Sequence, residues 1–126
     1  MALASVLAGR LPFERVIGID IDPDLVKRGN QNIARARGLR CPIELLCRDA
    51  TVFDIPANAT TLYFCNPFSG AVLVNVLEKV QGRDLQLVCN VPHRSGFEDE
   101  ISRVDWLKLR KQTQLTDQRR CLIFTP

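Results

Sequence analysis

The run Arg15-Val16-Ile17-Gly18-Ile19-Asp20-Ile21-Asp22-Pro23-Asp24 decides the fold of this chain. Arg15 to Ile21 is short, rich in β-branched residues and bounded by turn formers, the pattern of a strand buried on both faces. Asp22-Pro23-Asp24 then opens a helix. Proline suits the first helical turn, Asp22 serves as N-cap, and the helix dipole favours Asp24. The spacing predicts a helix to about Arg37, with Leu25, Val26, Gly29, Ile33 and Ala36 turned inward. Gly38 follows, the usual residue past a helix end. Lys27, Arg28, Arg35 and Arg37 form its solvated face.

The same alternation continues downstream. Ile43 to Cys47 reads as a second strand, closed by Asp49 and Ala50. A loop holding Pro56, Asn58 and Thr60 leads to a third, Thr61 to Cys65. Asn66-Pro67-Phe68-Ser69-Gly70 is a turn, Ala71 to Val80 a helix ending near Gly82, and Leu85 to Cys89 a fourth strand stopped at Val91-Pro92. Strand and helix in alternation, with parallel-type apolar strands, predict an α/β sandwich. The last third differs. Ser95-Gly96-Phe97-Glu98 resembles a capping box, and Phe97, Ile101 and Val104 share a helical face. Trp106 to Leu109 and Arg120 to Phe124 read as two strands. The polar stretch Lys111 to Gln118 is the tip and flanks of a hairpin, with Trp106 packed at its root. No repeat and no linker is visible.

With 126 residues the chain is expected to form one domain. Its content, 46% apolar and 25% charged, is that of an ordinary globular protein and excludes a disordered or low-complexity tail. A net charge of +3 gives by itself no ground for a nucleic-acid or membrane partner, and nucleic acid ranks last among the partners considered. No apolar run reaches the ~18 residues of a membrane span. The start Met1 to Ala8 lacks the basic residues of a signal peptide, so a cytoplasmic location is expected. Cys41, Cys47, Cys65, Cys89 and Cys121 are odd in number and form no C-x-x-C pair. They read as small buried hydrophobes in a reducing compartment. No metal site is expected: His93 is the sole histidine and no ligand pair has zinc spacing. His93 itself reads as a loop residue on the surface.

From Arg15 to Phe124 the order of elements and three motifs resemble the class I S-adenosylmethionine-dependent methyltransferases. Val16-Ile17-Gly18-Ile19-Asp20-Ile21-Asp22-Pro23 looks like that family's strand ending in an acidic residue. A carboxylate at the end of a parallel strand can accept both ribose hydroxyls of an adenosine. The resemblance makes Asp20 the ribose ligand and lays Ile21 against the adenine, with Asp22 left as the helix cap. Cys47-Arg48-Asp49-Ala50 resembles the next motif, in which Asp49 accepts from the adenine amino group and the backbone near Ala50 binds the ring. Tyr63-Phe64-Cys65-Asn66-Pro67-Phe68 resembles the motif where methyl donor meets acceptor. Asn66 would hold cofactor and accept from an amine, helped by the Pro67 or Cys65 carbonyl, and Phe68 would pack on a planar substrate. This chain carries one proline there, not the two common in members acting on amino groups.

The family's glycine-rich loop has no counterpart: nothing like G-x-G precedes Arg15. Met1 to Ala8 resembles the helix that follows that loop, and Leu11-Pro12-Phe13 the link to the next strand. The resemblance therefore implies a single methyltransferase-like domain, residues 1–126, incomplete at its N-terminus. Its Rossmann-like sheet would be mostly parallel, flanked by helices and finished by an antiparallel hairpin. The absent strand would stand between those ending at Asp20 and Cys65, leaving edges through which chains could self-associate. The implied activity is methyl transfer from S-adenosylmethionine to a small-molecule or protein acceptor, an amino group being one candidate. A non-catalytic paralogue binding an adenosine ligand or a protein is the alternative. An NAD-type oxidoreductase fragment is a further one, weakened by the absent G-x-G-x-x-G.

Overall fold

The structure, a computed structural model, describes residues 2–65, 70–93 and 96–126. The chain divides into two compact units, Met1–Phe53 and Asp54–Pro126.

Unit 1 contains α1 (Ala2–Gly9), β1 (Val16–Asp20), α2 (Pro23–Arg35) and β2 (Ile43–Cys47). The two strands pair in parallel, Val16 opposite Ile43 and Asp20 opposite Cys47. β1 is shorter than expected because Arg15 and Ile21 lie outside the ladder and are exposed. Gly18 is needed for close packing. A Cβ there would sit 2.4 Å from Leu45 Cδ2 and 2.9 Å from Ser5 Oγ, so the Leu45 and Ser5 side chains would have to shift to admit it. α2 begins as expected: the Asp22 carboxylate accepts from the backbone N–H groups of Asp24 (2.8 Å) and Leu25 (3.3 Å). It stops at Arg35, earlier than the predicted Arg37. Ala36 is already extended, and the chain turns over Gly38 at φ +74°. Val26 and Gly29 are buried, Ile33 and Ala36 half-buried, but Leu25 is 48% exposed. One residue is about 100° of helical rotation, which carries Leu25 off a stripe centred on Val26 and Gly29.

Unit 2 contains β3 (Thr61–Cys65), α3 (Ala71–Val80), β4 (Gln86–Pro92), α4 (Gly96–Ile101), β5 (Lys108–Thr116) and β6 (Arg119–Thr125). Its sheet runs β3-β4-β6-β5. β3 and β4 are parallel; β4 and β6, and β6 and β5, are antiparallel. One face carries the core. Leu87, Cys89 and Val91 of β4 and Leu122 and Phe124 of β6 meet the buried sides of α3 and α4. Leu73, Leu77 and Val80 come from α3, Phe97 and Ile101 from α4. Phe64 and Phe97 stack edge to face at 6.3 Å between ring centres. Trp106 packs, partly buried, on this core at the hairpin root, as expected.

Several details differ from the sequence reading. β4 starts one residue later than expected and continues through Val91 and Pro92, the predicted stop, because both pair with β6; β5 starts at Lys108, leaving Trp106 and Leu107 outside the strand. The hairpin strands are longer, so only Asp117 and Gln118 form the tip. Every residue of β5 is exposed, so the apolar alternation that marks a strand is missing from Lys111 to Thr116. Glu98 does not turn back toward a capping box; both its carboxylate oxygens accept from the Arg120 guanidinium. Ser95, the other half of that box, lies outside the described residues. Finally, Cys41 and Cys89 are buried, but Cys47 and Cys65 are exposed, so the cysteines are not uniformly core residues. All five are free thiols. Among the described residues β1 pairs only with β2, and β3 only with β4.

Candidate cofactor site and sheet face

Two loops leave the carboxyl ends of β1 and β2 side by side in unit 1, because the parallel register sets Asp20 opposite Cys47. They are joined by the Arg48 N–H, which donates to the Asp20 carbonyl at 3.0 Å. Asp20 is half-buried, and its Oδ1 accepts from the Asp22 N–H at 3.0 Å. Among the described residues no donor meets its Oδ2. Ile21, the next residue, is 70% exposed, an apolar side chain presented to solvent at the strand end. The Cys47 thiol points back at the Ile21 carbonyl, 3.5 Å away. Sequence reasoning missed this link, since the strand pairing that creates it is not visible in either motif.

The second loop is stiffened by Asp49. Its Oδ1 accepts from the Thr51 N–H (2.8 Å) and hydroxyl (2.7 Å), and its carbonyl from the N–H groups of Val52 and Phe53. Asp49 is exposed and Ala50 half-buried. One carboxylate oxygen of Asp49 is thus engaged in shaping its own turn. The structure brings Asp20, Ile21, Asp49 and Ala50 to the same end of one two-stranded sheet. Asn66, Pro67 and Phe68, expected where methyl transfer occurs, lie outside the described residues.

In unit 2, Tyr63, Asn90 and Arg119 form a chain across three strands. The Arg119 guanidinium donates to the Asn90 amide oxygen (2.8 Å) and carbonyl (3.1 Å), and the Asn90 amide donates to the Tyr63 hydroxyl at 3.4 Å. Burial raises the Tyr63 pKa, with nearby Cys65 and Cys121 adding to the rise and the Asn90 hydrogen bond opposing it. Burial also pushes the Cys89 thiol up to about 12, with electrostatic repulsion from the neighbouring Cys121 adding to the rise. His93 is exposed and its Nε2 lies 2.8 Å from the Gln114 side-chain nitrogen. No group of potential metal ligands occurs among the described residues. No helix among them is long and apolar enough to cross a membrane.

No protein-family model and no curated protein matches this sequence. Solved structures do match in fold. A protein from Clostridium thermocellum described as a putative rRNA-methylase superposes with a TM-score of 0.68 at 13% identity, over 97% of this chain and 79% of its own. A methyltransferase from Geobacter sulfurreducens gives 0.57 at 18%, over 99% and 78%. A putative methylase from Haemophilus influenzae gives 0.60 at 10%, over 89% of this chain and 66% of its own, so this chain spans just under two-thirds of that protein. The fold is that of the class I methyltransferases.

Proposed function

We propose that this chain binds S-adenosylmethionine through unit 1 and serves methyl transfer to an acceptor. The observation that carries the reading is the pairing of the Asp20 and Asp49 loops at adjacent parallel strand ends, each held by its own backbone hydrogen bonds. Open α/β sheets bind nucleotides at such ends. The cofactor supplies, when bound, a methyl group on a sulfonium.

Asp20 accepts from the ribose hydroxyls. Its Oδ1 is already anchored by the Asp22 N–H, which fixes the carboxylate before ligand arrives. Exposed Ile21 offers an apolar surface for the adenine. Asp49 accepts from the adenine amino group, and the backbone at Ala50 meets the ring. By the resemblance, Asn66 would accept from an acceptor amine, helped by the Pro67 or Cys65 carbonyl, and Phe68 would pack on a planar acceptor. Transfer then depends on alignment, and a neutral amine needs no general base. The acceptor is a small molecule or a protein.

Calorimetric titration with S-adenosylhomocysteine, with NAD as control, tests this. Micromolar binding of the first alone is expected. A folded chain that binds neither refutes the cofactor reading, and preference for NAD moves the chain to the oxidoreductases.

A further inference from the structure

The register of unit 2 brings together cations that the sequence scatters. Residues directly opposite one another in a ladder share a face of the sheet. Lys108 stands opposite Thr125, and Lys111 opposite Ile123, both on the face away from the core. Simple alternation would send 108 and 111 to opposite faces. A bulge between Leu109 and Lys111 prevents this by leaving Arg110 without a partner. The Arg110 guanidinium donates to the Thr125 hydroxyl (2.7 Å) and the Pro126 carbonyl (3.2 Å), so it too lies on that face. Arg119 follows on β6, opposite Pro92. Lys108, Arg110 and Lys111 therefore share one end of this face, while Arg119, bound to Asn90, stands at the other end.

The strand positions of this face hold no carboxylate among the described residues. The nearest acids along the chain, Asp105 and Asp117, stand in the turns at either end of β5. Neither α3 nor α4 covers this face, since both contribute to the opposite one. Lys111, Ile123, Val88 and Tyr63 form one row across the sheet. Three strand spacings of about 4.8 Å put roughly 14 Å between its ends. A cation stands at one end and a 46% exposed tyrosine at the other.

We infer that this face binds single-stranded nucleic acid, its phosphates on Lys108, Arg110 and Lys111 and a base on Tyr63. A basic track beside an aromatic platform is what a single strand needs, because each base exposes a π-face and each link a charge. The charge total gave no hint of this, since the bulge, not the composition, makes the stripe. Lysine on an edge strand also deters strand-to-strand association. That role needs no clustering on one face and no aromatic three strands away. The inference rests on unit 2 alone and is independent of the cofactor reading.

The test is fluorescence anisotropy of the full chain with labelled oligo(U), across a salt series. Wild type should bind at low salt, with log K falling against log salt at a slope near −2, as ~0.7 per phosphate for about three contacts requires. Lys108→Glu/Lys111→Glu should weaken binding tenfold or more and flatten the slope. These side chains are exposed, so circular dichroism should be unchanged. Lys108→Arg/Lys111→Arg should bind as wild type, and Tyr63→Leu should weaken binding about tenfold at unchanged slope, as loss of one stacked base predicts. Lys27→Glu/Arg28→Glu, on α2, is the control and should change little. Absence of binding at low salt overturns the inference. So does equal loss in the α2 control, or a Lys108→Glu/Lys111→Glu variant that self-associates without losing affinity.

Discussion

Asp20 and Asp22 are two residues apart and carry the same carboxylate, yet the backbone assigns them different tasks. Asp22 spends its side chain on the first turn of α2, whereas Asp20 keeps one oxygen beyond its bond to the Asp22 N–H. Asp20→Asn should therefore weaken S-adenosylhomocysteine binding by tenfold or more, since hydrogen bonds to a charged acceptor contribute about 1.5–3 kcal/mol. Calorimetry reads this directly, and unchanged affinity would remove Asp20 from the ribose. Cys89 supplies a prediction in pH. Its folded pKa is raised to about 12 by burial, while an unfolded thiol titrates near 8.5. Below about pH 8.5 both states hold the proton and the contribution to stability is complete. Above it the unfolded chain loses the proton first, so stability falls as pH climbs toward the folded value. The urea midpoint should drop between about pH 8 and pH 10. Cys89→Ala should start lower, from its small cavity, but decline less steeply. Identical slopes would show that another group controls alkaline stability.

At the scale of elements, caps and close approaches set the stability of unit 1. Asp22→Ala removes the acceptor for two N–H groups and should cost about 0.5–2 kcal/mol. Gly18→Val places a side chain where Leu45 and Ser5 already stand and should cost about 1–3 kcal/mol. Urea melts measure both, and a neutral Gly18→Val would mean that Leu45 moves aside freely. These elements also show what the sequence makes legible. β2, β3 and α3 were readable to the residue because apolar runs of the right length sit between turn formers. α2 was readable at its start, where Asp22 and Pro23 leave little choice, and less so at its end, where extended Ala36 stops it ahead of Gly38. β5 was unreadable over most of its length. It has no buried face to impose alternation, and its bulges break the period that alternation would follow. The candidate cofactor site was legible at Asp20 and Asp49 because both end strands. The Tyr63-Asn90-Arg119 chain was not, since it depends on pairing residues 27 and 29 positions apart.

For the molecule as a whole, the strand edges deserve comparison. β5 carries lysine, arginine and two register shifts, common defences of an edge, whereas β1 and β3 hold neither lysine nor proline and keep one ladder partner each among the described residues. Sedimentation should therefore show association that grows with concentration, and a monomer throughout would exclude pairing through these strands. The division of the core matters more. Of the buried apolar side chains among the described residues, only Val26, Cys41 and Leu45 fall in unit 1; the rest belong to unit 2. Regions with few buried apolar contacts open at lower free energy than the whole protein. Amide protons of Val16–Asp20 and Ile43–Cys47 should exchange with deuterium sooner than those of β4 and β6. A ligand held only by the closed form adds RT ln(1 + [L]/Kd) to the opening free energy. Deuterium uptake in β1 and β2 thus becomes a titratable gauge of nucleotide occupancy, with β4 and β6 as its internal clock.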